Sequence, residues 1–357
     1  PVFSAETVSG LIPNVIAGRI ANRLDLMGPC YTVDGACASS LLAIDIAVHE
    51  LLDGSIDLAI VGGSQVSTPV PVLGVFCQLN ALSRSQQIRP FDKDADGTIL
   101  GEGIGMIILK RRADAQRDGN RMYALIKGVG TSSDGRGLGV LAPRAEGQAL
   151  ALQRAYERAQ VDPASIGLIE AHGTGTLAGD VAEIQSLRQV FGQRTTTMPR
   201  CAIGSVKSMI GHTMPAAGIA GIIKAALALY HRVLPPTLNI DVPNPQLELQ
   251  TTPFYLNTET RPWIHGLKGT PRRAGVNAFG FGGINAHAIL EEHTAADESR
   301  QPHCDVHQET EVFILQGKTR EDLLAAGTAL QRFLAGRPRT ALKDIAFTIN
   351  CNRPSEP

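Results

Sequence analysis

The chain is short of the features that mark specialised protein classes. Acidic and basic side chains nearly cancel, leaving a formal net charge of −1 over 357 residues, so neither nucleic acid nor an anionic membrane is expected as a main partner. No window approaches the roughly 18 consecutive apolar residues of a membrane span. The opening Pro-Val-Phe-Ser has neither the basic nor the apolar region of a signal peptide. Six cysteines, at 30, 37, 77, 201, 304 and 351, form no disulfide framework. A chain this long needs none, and a reducing, cytoplasmic compartment is expected. The missing initiator Met and a charged stretch near the other end predict a piece of a longer polypeptide.

Glycine is abundant: 37 residues, many in clusters such as Gly62-Gly63, Gly101/Gly103/Gly105 and Gly280/Gly282/Gly283, where backbone must turn sharply or approach something closely. The stretch around which the chain is organised is Val33-Asp34-Gly35-Ala36-Cys37-Ala38-Ser39-Ser40. A turn carrying Gly35 runs into an apolar helical pattern ending near Leu52, with Gly54 beyond, which puts Cys37 at or near a helix N-terminus. Unpaired N–H groups and the helix dipole there lower a thiol's pKa and favour the nucleophilic thiolate. The competing reading is a structural, buried cysteine.

Taken in order, the sequence predicts a helix over about Leu11–Leu24, a short strand Tyr31–Val33 and a helix after Cys37 that is apolar nearly all round. A buried strand Ile56–Val61 is stopped by Gly62-Gly63, and a loop-rich stretch with Pro69, Pro71 and Pro90 follows. Strands at 104–110, 123–130, 167–171 and near 202–203 alternate with helices at 146–160, 180–191, with Asp180 as N-cap, and 216–229. Two closing strands, 273–278 and 284–290, flank Phe279-Gly280-Phe281-Gly282-Gly283. That order makes a layered α/β architecture. Composition turns polar over 293–310, a linker, followed by a strand Val312–Leu315 and helices at 321–333 and 341–349 that are too small for an independent core.

Three patterns imitate other sites. Asp92-Lys93-Asp94-Ala95-Asp96-Gly97 begins like a calcium loop, but the position for the bidentate acid holds Gly103, with Glu102 one residue short. Gly101/Gly103/Gly105 opens a strand, not the helix of a dinucleotide site. His303-Cys304-x-x-His307 lacks a fourth ligand at usual spacing and reads as solvated linker. No metal is expected.

What remains is Cys37 with two histidines, His172 and His212, each in a Gly/Thr loop after a strand, where α/β proteins place their sites. A cysteine with two imidazoles suits acyl transfer: the thiolate attacks a thioester, an imidazole hydrogen-bonds or relays protons, and N–H groups hold the oxyanion. The other seven histidines, including His287, read as ordinary core or surface residues.

Four motifs carry a family resemblance. Val33–Ser40, Glu170-Ala-His-Gly-Thr-Gly-Thr-x-x-Gly-Asp-x-x-Glu183, Lys207-Ser-Met-Ile-Gly-His-Thr213 with Ala216-Ala217-Gly218, and Asn277-Ala-Phe-Gly-Phe-Gly-Gly-x-Asn285 together resemble the β-ketoacyl synthases, above all the ketosynthase domains of type I polyketide synthases. The resemblance runs from residue 1 to about 292, and 293–357 resembles the ketosynthase–acyltransferase linker. It implies a thiolase-like α/β/α/β/α fold with a partial N-terminal and a complete C-terminal half, plus a small α/β linker subdomain. Only 36 residues precede Cys37, where the family has well over a hundred, so an N-terminally incomplete chain is expected.

The same resemblance implies an acyltransferase (EC 2.3.1) that joins a malonyl-type extender to an acyl chain on Cys37 by decarboxylative Claisen condensation, in polyketide or related fatty-acid assembly. His172 and His212 would assist decarboxylation or hold the enolate, in an order left open. Lys207, ion-paired with a carboxylate, would organise the site. N–H groups of Cys37 and Phe281 would form the oxyanion hole, with Phe281 also a gate. Thr174 and Thr176 would bind the pantetheine arm, and Asp180 and Glu183 match the family pattern, where capping and support of the loops fit them as well as catalysis does. No cofactor is implied beyond phosphopantetheine on an acyl carrier protein; an adjacent acyltransferase domain and a homodimer are implied as partners. Gly35, Ala38, Met209 and Met214-Pro215 depart from the commoner polyketide pattern and bear on acyl preference. Thiolases use a second cysteine and chalcone-synthase-like enzymes pair Cys and His with Asn, so the second histidine favours the decarboxylating synthase. The alternative is a non-catalytic chain-length or scaffolding partner, against which Cys37 argues.

Overall fold

The computed structural model describes residues 12–137, 139, 141–196, 198–264, 270–294, 311–336 and 342–351. It divides into two compact units, residues 1–294 and 295–357.

In the first unit the elements are α1 (Asn14–Leu24), α2 (Ser39–Asp53), β1 (Leu58–Gln65), α3 (Val70–Gln78), β2 (Gly103–Lys110), α4 (Arg112–Arg117), β3 (Leu125–Ser133), α5 (Ala145–Ala159), β4 (Leu168–Glu170), α6 (Leu177–Phe191), β5 (Cys201–Gly204), α7 (Lys207–Ile210), α8 (Ala217–His231), β6 (Val233–Leu234), β7 (Phe254–Leu256), β8 (Arg261–Pro262), β9 (Arg273–Gly280) and β10 (Ile284–Glu291). The main sheet has the order β3-β10-β9-β4-β5-β7, antiparallel on the β3 side and parallel from β9 to β7. β1 and β2 form a separate antiparallel pair, with Val61 opposite Ile107.

Strand alternation splits the core in two. On one face Val276, Ala286 and Ala288 of the main sheet pack with Leu41 and Ile44 of α2, Ile219 and Ile222 of α8, and Val61 of β1. On the other, Ile169, Ile203 and Ile289 meet Leu152 of α5 and Leu187 of α6. The layers are therefore β1–β2, then α2 with α8, then the main sheet, then α5 with α6. Each wholly buried Leu or Ile contributes about 1.5–3 kcal/mol to holding them together. α8 with its preceding turn, Met214–His231, is apolar enough to resemble a membrane span, against the expectation from the sequence. Half of it is buried in this fold, as the central core helix.

Most expected elements form within a residue or two. β1 departs, because it runs on through Gly62-Gly63. At Gly63 a Cβ would lie 2.9 Å from both Ala216 Cα and Pro215 O, so glycine there lets the strand pass against the turn that follows His212. The proline-marked stretch contains α3, with Pro69 at its cap and Pro71 in its first turn, where a missing N–H does no harm. Tyr31–Val33 does not form a strand. α2 buries Leu41, Ile44, Ala47 and Leu51 but leaves Leu52 exposed and Leu42, Ile46 and Val48 half-buried, so it is apolar all round without being buried all round.

In the second unit, α9 (Arg320–Gly336) and α10 (Leu342–Cys351) match the expected helices. Val312–Leu315 is not a strand: Ile314 N donates to Asn350 Oδ1 and Asn350 Nδ2 donates to Val312 O, so a side chain stands where a neighbouring strand would be. The His303/Cys304/His307 pattern lies outside the described residues.

Candidate active site

Cys37, His172 and His212 converge although each comes from a different connection. Cys37 sits in a single 3-10 turn, Ala36–Ala38, that feeds α2. The residue with positive φ is Ala36 (48°), not Gly35; a non-glycine residue there costs about 1–2 kcal/mol. Local bonds hold it. Asp34 Oδ1 accepts from Ala36 N (2.9 Å), Ser39 Oγ accepts from Gly35 N (3.0 Å), and the same hydroxyl donates to Ala36 O (2.6 Å). A Cβ at Gly35 would lie 2.3 Å from Leu42 Cδ1, so a larger residue there needs the Leu42 side chain to turn aside.

His212 Nε2 lies 3.1 Å from Cys37 Sγ. Its Nδ1 accepts from Met214 N at 3.2 Å. An Nδ1 that accepts leaves the ring proton on Nε2, so His212 presents N–H to the sulfur. His172 is arranged alike. Its Nδ1 faces Phe279 N at 3.4 Å and Lys207 Nζ at 3.5 Å, which again puts the proton on Nε2. The two rings meet edge to face with centroids 5.3 Å apart. Burial first, and the Lys207 charge second, push both imidazoles far below the usual histidine range, so both are neutral donors.

Cys37 is only 4% exposed, and burial pushes its thiol up to about 11. Here the expectation of a depressed pKa fails, because desolvation outweighs the helix terminus. The Lys207 charge and the N–H groups of Phe281 and Cys37 oppose it. Phe281 follows the β9 strand; its ring is 40% exposed and packs on Phe76 of α3 at 5.6 Å.

Lys207 is buried at 3% exposure. The expected ion pair with a carboxylate is not its arrangement: Glu170 Oε2 pairs with Lys224 Nζ at 2.7 Å, while Lys207 Nζ faces His172. Burial lowers the Lys207 pKa, and the fields of Glu170, Glu183, Cys37 and Asp180 counter it. Glu170 Oε1 accepts from Val206 N at 2.6 Å and so fixes the turn that leads to Lys207.

Asp180 is not the N-cap of α6, which starts at Leu177. It lies in the first turn, wholly buried, and accepts from Phe91 N (2.7 Å) and Gly175 N (3.3 Å). Burial raises its pKa to about 8. Glu183 accepts from His172 N (2.7 Å), Gly173 N (2.8 Å) and Asn277 Nδ2 (2.8 Å). Thr174 and Thr176 are half-buried beside each other, hydroxyls 3.0 Å apart.

Sequence reasoning missed the strap that ties the histidine loops together. Gly97 N donates to Gly175 O (2.9 Å), His212 N to Ile99 O (2.7 Å) and Gly101 N to His212 O (3.0 Å). The supposed calcium loop serves the same scaffold. Asp92 Oδ2 accepts from Asp241 N and Val242 N, and Asp96 accepts from Ser83 Oγ, Arg84 N and Ser85 N. Backbone bonds of this kind leave no side-chain signal, and Asp-rich turns invite the wrong one. Among the described residues no cluster of three or more His, Cys, Asp and Glu side chains could hold a metal.

Residues 3–115 match the family model "Beta-ketoacyl synthase, N-terminal domain", residues 123–241 "Beta-ketoacyl synthase, C-terminal domain", and residues 243–354 "Ketoacyl-synthetase C-terminal extension". The chain is 43% identical over 299 residues to a polyunsaturated fatty acid synthase of Thraustochytrium sp., covering 82% of this chain and 10% of that protein. It is 39% identical over 340 residues to a polyketide synthase, PksL, of Bacillus subtilis, covering 95% and 7% respectively. The solved ketosynthase from module 6 of the bacillaene synthase of Bacillus subtilis superposes with a TM-score of 0.77 at 37% identity, covering 98% of this chain and 61% of that one. The chain thus spans about a tenth or less of these two relatives and three fifths of the solved domain. Its fold is the thiolase-like α/β fold of those domains, and the chain belongs to the β-ketoacyl synthase family, beside the ketosynthases of type I polyketide synthases.

Proposed function

We propose that the protein is a β-ketoacyl synthase, an acyltransferase that performs decarboxylative Claisen condensation in polyketide or related fatty-acid assembly. The observation that carries this reading is the 3.1 Å contact of Cys37 Sγ with His212 Nε2, beside a second imidazole that also presents Nε2–H. In the first half-reaction the Cys37 thiol gives up its proton as its sulfur attacks the carbonyl of an acyl thioester. The oxyanion is held by Cys37 and Phe281 N–H, the C–S bond to pantetheine breaks, and the departing sulfur takes up one proton and leaves as a thiol, so no net proton is consumed. In the second, a malonyl-type thioester loses its carboxylate as CO2. The electron pair becomes an enolate whose oxygen takes hydrogen bonds from His172 and His212 Nε2–H. The enolate carbon then attacks the acyl–Cys37 carbonyl and expels the Cys37 thiolate, which the Lys207 charge and the surrounding N–H groups receive.

Thr174 and Thr176 are proposed to bind the pantetheine arm, Phe281 on Phe76 to gate the sulfur, and Asp180 and Glu183 to hold the loops. The partners proposed are an acyl carrier protein bearing phosphopantetheine, an adjacent acyltransferase domain and a second copy of this chain, in the cytoplasm. Residues 1–292 are read as the synthase domain and 293–357 as linker. The test is intact-protein mass spectrometry after exposure to a panel of acyl thioesters. One acyl adduct, absent from Cys37→Ala, is expected, followed by its discharge on adding a malonyl thioester. A parent protein that takes no acyl group would overturn the reading in favour of a scaffolding role.

A further inference from the structure

His287, set aside in the sequence as a core histidine, stands on β10 directly opposite Asn277 of β9 and has no exposed surface. Its Nδ1 lies 2.6 Å from Asn277 Oδ1. Asn277 Nδ2 donates to Glu183 Oε1 at 2.8 Å, and the Glu183 carboxylate accepts from His172 N and Gly173 N. Burial raises the Glu183 pKa, and the N–H groups of His172 and Gly173 with the Asn277 amide oppose that rise; as the carboxylate it only accepts, so the amide turns its NH2 to Glu183 and its oxygen to His287, and His287 Nδ1 carries the proton. Burial pushes the His287 pKa down to about 3, so this donor is constant across the working pH range. The rest of the ring is held by packing. It lies 5.4 Å from the Tyr156 ring, and Gly275 leaves the space in which a Cβ would stand 2.6 Å from His287 Cε1. Its Nε2 is buried without a hydrogen-bond partner among the described residues. A leucine or phenylalanine would fill this place without that desolvation penalty, so packing alone does not account for an imidazole here.

We propose that His287 is a positioning residue for His172: its Nδ1–H fixes the Asn277 amide, which with Glu183 holds the backbone from which His172 projects. This rests on the reading above, in which Cys37, 3.1 Å from His212 Nε2, forms the acyl-enzyme and His172 is one of the two imidazoles that hydrogen-bond the extender's enolate.

The test compares His287→Phe, which keeps a ring and removes the donor, with His287→Asn, which keeps a donor at the Nδ1 position and gives up the ring. Self-acylation of Cys37 and decarboxylation of a malonyl thioester are measured separately on the intact protein. His287→Phe is expected to slow decarboxylation at least tenfold while acylation changes less than threefold. His287→Asn is expected to stay within threefold of the parent in both. Asn277→Asp, which withdraws the donor from Glu183, is expected to show the same split as His287→Phe, and combining the two to add nothing further. A role in packing predicts the reverse order, with His287→Asn the worse variant, and that result would overturn the proposal, as would a parallel fall in both half-reactions. If the parent acylates Cys37 and condenses but His287 and Asn277 variants show no split, only the positioning role fails. If the parent forms no acyl–Cys37, the site reading fails and this proposal with it.

Discussion

Lys207 Nζ and His172 Nδ1 stand 3.5 Å apart in a site where Lys207 is buried, and this contact orders the rest. An ammonium beside Nδ1 keeps the proton of His172 on Nε2 and keeps the ring neutral. The same charge is the strongest influence opposing the burial that raises the Cys37 thiol. Lys207→Met is therefore expected to push the Cys37 pKa higher still. Alkylation by iodoacetamide at pH 8 should slow by about three- to tenfold, since one pKa unit is a tenfold change in thiolate. An unchanged alkylation rate would show that the lysine charge does not reach the sulfur.

A second expectation concerns β1. At Gly63 an added Cβ meets backbone, 2.9 Å from Ala216 Cα and from Pro215 O, and backbone cannot rotate aside. Gly63→Ala should destabilise by about 1–3 kcal/mol, the usual range for overpacking, read as a shift in denaturant midpoint. Because Pro215 and Ala216 follow His212 closely, Cys37 acylation should fall as well, in the folded protein. Gly119→Ala has open space around it and is the control for the clash, though its positive φ of 64° leaves a smaller cost.

Much of this was legible in the sequence where side-chain pattern decides the outcome. Cys37, His172 and His212 each sit at a glycine-rich strand or helix end, and the alternation of strands and helices gave the layers that bring those ends together. What could not be read was set by tertiary context. Gly62-Gly63 suggested a strand end and proved to be a close approach inside a strand. Pro69 and Pro71 suggested loop and opened a helix. Helix-terminal position suggested a low thiol pKa, but burial, invisible in a linear sequence, raised it. Glu170, the nearest acidic neighbour of His172 in its motif, was taken by Lys224, a helix-face residue with no motif to announce it.

Asp180 supplies a pH expectation. Its folded pKa is about 8, against about 3.9 for an ordinary aspartate, so the folded state binds its proton more tightly than the unfolded one. The stabilisation is fully present below pH ~4 and is lost as pH rises through about 8. Asp180→Asn removes that dependence and adds a pH-independent penalty, because the amide has one acceptor oxygen for the two N–H donors of Phe91 and Gly175. The melting temperature of Asp180→Asn minus that of the parent should climb from pH 5 to pH 9. A flat difference would mean that Asp180 is ionised throughout.

The Glu170–Lys224 pair carries the last prediction. Glu170 is wholly buried and holds two partners, Lys224 Nζ at 2.7 Å and Val206 N at 2.6 Å. Removing one member of a buried ion pair strands the other charge, at about 3–5 kcal/mol. Lys224→Met should therefore destabilise strongly, and Glu170→Gln in that background should recover much of the loss, since a neutral amide keeps an acceptor for Val206 N and needs no cation. Lys207 offers a second outcome that the same cycle reads. Its charge already feels Glu170, and if it swings to the stranded carboxylate in Lys224→Met, the destabilisation is smaller than about 3 kcal/mol while its hold on His172 is released. Decarboxylation then falls with little loss of stability. Equilibrium unfolding and malonyl turnover, measured together on the single and double variants, separate a pair that only supports the fold from one that keeps Lys207 free to face His172.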